Sequence, residues 1–197
     1  MRVVPTSLAI ASFMLLAACS GQPNPPAAES NVSQTAETTP SETANASMEK
    51  TSLTDLVLVD ANTGEEFTLA DFGGKTVSVE VMSVTCSACQ KQHQNTVRAY
   101  EQLKNSDEYV FVSLSLDSGL SDAELKQFAE TNGYDWVFAV ATPETIQTLN
   151  ERFGQGIFST ANTPQFTISE NGEVSEFSTG FKEPDVLVSQ LEKAREE

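Results

Sequence analysis

The sequence predicts an α/β sandwich with a mixed central sheet and an N-terminal β-hairpin, and three observations lead there. From Thr51 onward, apolar runs rich in β-branched residues alternate with segments of helical period. The last two apolar runs flank Asn171-Gly172, a turn pair that joins antiparallel strands. Between the first long run and its helix stand Cys86 and Cys89, spaced for a reversible disulfide.

The elements follow in order. Leu56 to Val59 and Glu66 to Leu69 flank Asp60-Ala61-Asn62-Thr63-Gly64, which reads as a hairpin. Thr76-Val77-Ser78-Val79-Glu80-Val81-Met82 has few turn formers and reads as a strand. Residues 90–103 then place Val97, Tyr100 and Leu103 on one helical stripe. A second strong strand spans 109–116. The helix at 121–131 carries Ser121 as N-cap and Glu124 as its capping-box partner. A short strand at 136–140 leads to a helix at 143–153 stopped by Gly154. Residues 165–169 and 174–177 form the second hairpin, and the last helix starts near Pro184, burying Val186, Leu187 and Leu191.

Composition divides the chain. Residues 1–18 hold one positive charge at Arg2 and then an apolar run from Leu8 to Ala18, too short for a bilayer span but suited to a signal peptide. Residues 19–50 are nearly all small or polar, cannot bury a core, and read as a disordered tether of about 30 Å r.m.s. reach. Residues 51–197 are enough for one domain. The net charge of −17 leaves no basic patch for nucleic acid or anionic lipid. Solubility is the ordinary reading of such an acid excess, and steering of basic partner proteins is the sharper one.

Leu16-Ala17-Ala18-Cys19 resembles a bacterial lipobox. That resemblance implies a diacylglyceryl group on Cys19, a lipid-anchored protein of the cell envelope, and a periplasmic-facing domain where the cell has an outer membrane. Three cysteines are present, so with Cys19 lipidated only Cys86 and Cys89 remain, too few and too close for a structural disulfide framework. Cys86 falls at or beside a helix N-terminus, where free N–H groups and the helix dipole favour a thiolate. Cys89, one turn further in, can displace it from a mixed disulfide.

Asp60 to Leu69, Phe72-Gly73-Gly74-Lys75, Cys86-Ser87-Ala88-Cys89, Ser113-Leu114-Ser115-Leu116-Asp117 and Thr163-Pro164-Gln165-Phe166-Thr167-Ile168 resemble, in that order, the thioredoxin-like redoxins of TlpA and ResA type. The resemblance covers essentially the whole domain. It implies a thioredoxin-like three-layer sandwich and a membrane-tethered thiol:disulfide oxidoreductase that needs no cofactor. Its partners would be client proteins with disulfides or thiols and an upstream thiol electron donor. Within it, Thr163-Pro164 is similar to the cis-proline loop that docks the substrate peptide. Proline lacks an N–H, so neighbouring backbone can meet an incoming chain as a pairing edge.

Glu80 lies six positions before Cys86, an offset at which thioredoxin-like proteins commonly carry an acid beneath the second cysteine. Buried there, it would have a raised pKa and could take and return the proton of Cys89. Ser78 shares its face, so a merely solvated side of the strand is the competing reading.

Departures and rivals complete the reading. Thr85 stands where relatives favour an aromatic, Ser87-Ala88 replaces the familiar intervening pairs, and Gln92 takes the place of an acid in some ResA-like proteins. The intervening pair tunes the potential and leaves the direction of exchange open, with reduction of client disulfides as the expectation. A peroxiredoxin-like peroxidase expects a threonine and a proline three and seven residues before its cysteine, where Ser83 and Val79 stand. A Cu(I)-binding chaperone of Sco type suits soft thiolates but uses wider cysteine spacing and a late histidine, and none follows His93. No metal is expected. His93, the sole histidine, reads as part of a polar helix face.

Overall fold

The computed structural model describes residues 51–196. The expected signal peptide at 1–18, lipidated Cys19 and tether through residue 50 fall outside the described residues. Ten elements follow in order: β1 (Leu58–Val59), β2 (Glu66–Phe67), β3 (Thr76–Met82), α1 (Ser87–Leu103), β4 (Tyr109–Ser115), α2 (Asp122–Asn132), β5 (Val137–Val140), α3 (Pro143–Phe153), β6 (Gln165–Ile168) and α4 (Pro184–Glu196). The main sheet has the order β5-β4-β3-β6. β3 to β5 are parallel, and β6 runs antiparallel to β3. The expected mixed-sheet sandwich with an N-terminal hairpin is the observed fold.

Each strand of the N-terminal hairpin is only two residues long, and short 3₁₀ turns at Leu53–Asp55 and Leu69–Phe72 flank the pair, the second taking Leu69 from the expected strand. The second turn is stabilised by Asp71, whose carboxylate accepts from both the amide and the hydroxyl of Thr68. In the hairpin loop Asp60 accepts from the Asn62 amide and the Thr63 hydroxyl, and Gly64 supplies the positive φ of 78° that closes it. The loop then bonds to the β5 region, Ala61 N–H to the Phe138 carbonyl (2.7 Å) and the Asn62 amide to the Trp136 carbonyl (2.7 Å). That contact covers an otherwise open sheet edge.

α2 begins as expected, with Ser121 and Glu124 in a reciprocal capping box, and ends on Gly133 in the left-handed region. The second hairpin is less regular than its Asn-Gly turn implies. Residues 174–177 do not form a continuous strand and pair with β6 only through isolated bridges at Ile168↔Val174 and Gln165↔Ser178. Three steps along β6 face four on the return, a bulge in which the Ser175 hydroxyl accepts the Thr167 amide.

β3 positions the site. Its side chains alternate, and all seven residues are buried. Val77, Val79 and Val81 face a core built with Leu149 of α3, Ile157 and the N-terminal leucines. Thr76, Ser78, Glu80 and Met82 face the other way, beneath α1 and α4. Pattern alone would leave that second face in water. The β3–β4 crossover helix α1 covers it, as successive right-handed crossovers place helices on one face, and the C-terminal helix α4 packs beside it.

Candidate redox site

β3 delivers the chain to Cys86 through a three-residue loop held by one carboxylate. Asp117, just past β4, accepts from the Ser83 hydroxyl (2.7 Å), the Val84 amide (2.7 Å) and the Ser115 hydroxyl (3.0 Å). Cys86 is the N-cap of α1, extended at φ −79° and ψ 108°, and its sulfur accepts the Cys89 amide at 3.1 Å. This is the position a capping serine would take, with sulfur as acceptor. A negative sulfur there gains both the amide and the helix dipole. Cys86 and Cys89 form a disulfide with Cα atoms 5.3 Å apart. Cys86 is partly exposed, whereas Cys89 is fully buried, its sulfur 3.3 Å from the Thr160 carbonyl oxygen.

Thr163-Pro164 is brought to the same end of the sheet. In the antiparallel register Glu80 faces Gln165, so Pro164 falls beside Val81, whose amide donates to the Pro164 carbonyl at 3.0 Å. Thr163 is buried with φ 46°, a left-handed conformation rare for a β-branched residue. Its hydroxyl has no hydrogen-bond partner. Strain of this kind costs about 1–3 kcal/mol and persists only where surrounding structure imposes it. The residue before Thr163 is fixed too, since the Gly180 amide donates to the Asn162 carbonyl at 2.7 Å.

Glu80 is buried, at 4 % exposure, which decides between the two readings of its strand face. Burial pushes its carboxyl up to about 8. The charge of Lys182 and the nearby Thr96 hydroxyl oppose that shift without cancelling it. The Thr96 hydroxyl itself donates to the Gln92 carbonyl (3.3 Å), and neither Glu80 oxygen has a hydrogen-bond partner of ordinary geometry.

His93 does not lie on a polar outer face. It is fully buried, with Nε2 at 3.5 Å from Glu80 Oε2 and 3.4 Å from the Ser113 hydroxyl, which in turn accepts the Trp136 indole N–H at 2.9 Å. Four aromatic rings, Phe128, Tyr134, Trp136 and Phe138, surround the imidazole, and burial drives its pKa down to about 4. The buried stripe of α1 is therefore Cys89, Gln92, His93, Thr96 and Ala99, while Val97, Tyr100 and Leu103 pack partly buried beside it. Helical spacing from Cys89 contained this information, but the polar identities pointed outward. Asp117 and Lys182 were also not singled out for the site. Lys182 is buried before α4, its amide donating to Gln92 Oε1 (2.9 Å) and its carbonyl accepting from Gln92 and Asn95. No local pattern marks it.

Among the described residues no group of three or more His, Cys, Asp or Glu side chains is arranged to hold a metal ion, and no helix is long and apolar enough to cross a membrane.

Solved structures similar to this chain share its fold. A thiol:disulfide interchange protein of the thioredoxin family from Chlorobium tepidum TLS is 22% identical, with a TM-score of 0.61 over 71% of this chain and 92% of that one. The thioredoxin domain of a thiol-disulfide oxidoreductase from Bacteroides vulgatus is 19% identical, with a TM-score of 0.52 over 70% and 91%. Copper-bound ScoI from Arabidopsis thaliana is 13% identical, with a TM-score of 0.55 over 71% and 94%. Among curated proteins no sequence matches. The Redoxin family model matches residues 43–194, most of the chain and all of the folded domain but its last residues, so the protein, with its thioredoxin-like fold and its Cys86/Cys89 pair, belongs to the Redoxin family.

Proposed function

We propose that this protein is a thiol:disulfide oxidoreductase of TlpA and ResA type, tethered to the cell envelope through a lipid on Cys19, that reduces disulfides of client proteins. The asymmetry of the cysteine pair carries this reading: Cys86 is partly exposed at a helix N-terminus and accepts an amide, while Cys89 is sealed beneath it.

In the reduced protein the Cys86 thiolate attacks a client disulfide. One client sulfur leaves as a thiolate and is protonated by water, and a mixed disulfide with Cys86 remains. Cys89 passes its proton toward the Glu80 carboxylate and attacks Cys86, releasing the second client thiolate and closing the Cys86–Cys89 disulfide. Two electrons have moved to the client, and an upstream dithiol restores them. His93, which contacts Glu80, lies four residues beyond Cys89 on α1, so Glu80 sits about one helical turn, roughly 6 Å of rise, below that sulfur. Thr163 and Pro164 supply the edge on which an extended client segment pairs. The fold likeness to a copper-bound Sco protein is not matched by a third ligand here, since His93 is enclosed by aromatic rings on the Glu80 side of the helix.

The test is trapping. Cys89→Ser accumulates a mixed disulfide with a client through Cys86, whereas Cys86→Ser traps nothing and abolishes exchange. Equal trapping by both variants refutes the assignment.

A further inference from the structure

Glu80 can serve as a proton acceptor only if the interior accommodates it both with and without its charge. A carboxylate asks its neighbour for a donor, and a carboxylic acid asks for an acceptor. A neutral imidazole can supply either by changing which nitrogen bears the proton. We propose that His93 is the positioning residue that does this, its tautomer following the charge of Glu80. With Glu80 ionised, Nε2 carries the proton and donates to Oε2. With Glu80 protonated, the carboxyl donates to a bare Nε2 and the proton sits on Nδ1. The pair thus holds one proton in the first state and two in the second, and no imidazolium forms.

The geometry favours this over a passive core histidine. Nε2 lies 3.5 Å from Oε2, within reach after a small tightening. Ser113 stands 3.4 Å from the same nitrogen. Because its oxygen already accepts the Trp136 indole N–H at 2.9 Å, its second lone pair can share an Nε2 proton with Oε2, and its hydroxyl can turn aside when the single lone pair of a bare Nε2 takes the carboxyl proton. Ser113 therefore matches both tautomers. Nδ1 is buried without a hydrogen-bond partner. Its aromatic surroundings offer neither a strong donor nor a strong acceptor, so the choice of tautomer is made at Nε2. Burial also keeps the ring neutral, which a tautomer switch requires.

Other groups face Glu80 from the elements packed on it. Thr96 comes from α1, and Ser113 and Gln165 flank it on β4 and β6. Lys182 precedes α4, and Tyr134, whose hydroxyl is held protonated first by burial and then by the charge of Glu80, lies between α2 and β5. Burial lowers the Lys182 ammonium from its ordinary value near 10 while the charge of Glu80 opposes that shift, and Tyr134 keeps its proton beyond its ordinary value. Neither offers an acceptor to one state and a donor to the other as His93 does.

The inference deepens the exchange reading, yet its test uses the oxidised protein with no client, so the two fail separately. His93 is the only histidine, so untagged protein labelled with ¹⁵N-histidine gives a single pair of ring-nitrogen signals. Between pH 6 and pH 9.5, about two units either side of where a carboxyl pushed to about 8 titrates, the protonated nitrogen should change from Nδ1 to Nε2. In Glu80→Gln it should stay on one nitrogen throughout. Ring signals that do not change in the wild type overturn the proposal, as does a wild-type change that persists unaltered in Glu80→Gln. If Glu80→Gln does not fold, Lys182→Met serves instead: losing the cation should move the wild-type change to higher pH, and an unmoved midpoint counts against Glu80 as its cause.

Discussion

Replacing Glu80 by glutamine should remove a pH dependence of stability that can be worked out from the burial of two side chains. The unfolded chain releases the Glu80 proton near 4.5, whereas the folded protein holds it to about 8. Between those values the folded state binds more protons, so stability falls as pH rises, and the loss is complete only above about 8. Its ceiling is about 5 kcal/mol, and relaxation and water entry at high pH reduce it. His93 acts in the opposite sense. Its folded value is pushed from 6.5 to about 4, so stability falls as pH drops through that interval. The two slopes cancel between 4.5 and 6.5 and leave Glu80 alone above 6.5. There the slope reaches about 1.4 kcal/mol per pH unit, or about 2 kcal/mol from pH 6.5 to 8. Urea unfolding of the oxidised domain at steps from pH 5.5 to 9, followed by the fluorescence of the single Trp136, measures it. From pH 6.5 to 8 wild type should lose about 2 kcal/mol while Glu80→Gln stays flat, the variant losing stability only below 6.5 through His93 and exceeding wild type at pH 9. Parallel curves for the two proteins would show that the carboxyl is hydrated and would remove Glu80 as a proton acceptor.

Asp117→Ala should destabilise the domain by about 2–3 kcal/mol, because it strands an amide and two hydroxyls that share one carboxylate, and should slow alkylation of Cys86 in the reduced protein. Unchanged alkylation would mean that the loop before Cys86 holds its shape without Asp117. Cys19→Ala should release the full-length protein from the membrane fraction and abolish metabolic labelling with palmitate. Retention on the membrane would require another anchor. Titration of the Cys86/Cys89 couple against glutathione should place it near the thioredoxin value of about −270 mV if the protein reduces clients, and a value near about −120 mV would reverse the direction.

The sequence showed most of the frame because local chemistry and fold agree there. The Ser121/Glu124 box, Pro143 and Gly154 mark helix ends independently of tertiary context, and each is where the chain turns. The cysteine pair was equally plain, because N-cap position and spacing are local properties. Orientation was less visible. Gln92, His93 and Thr96 look like an outer face, and only the crossing of α1 over β3 makes them an inner one. The return after Asn171-Gly172 failed to become a strand for a similar reason. Its register depends on the bulge and on Arg152 capping the Val174 carbonyl, contacts made across the fold.

The misreading of the α1 face is informative. A sequence that specified only a stable sandwich would put aliphatic side chains at 80, 93 and 113, as it does on the opposite face at Val77, Val79 and Val81. Instead the face behind the cysteines carries a carboxyl, an imidazole and a hydroxyl, bonded weakly to one another and leaving Glu80 without a hydrogen bond of ordinary geometry. Packing alone would not select that arrangement, since buried polar groups without partners cost about 1–3 kcal/mol each. Proton traffic at Cys89 supplies a reason. A thiol sealed from water can ionise only if a neighbour takes its proton, and the neighbour must itself be poorly solvated to hold that proton near neutral pH. In the proposed exchange, the burial that closes Cys89 to water therefore calls for an acceptor such as Glu80 beneath the helix. The local departure from core composition is what a buried resolving cysteine demands.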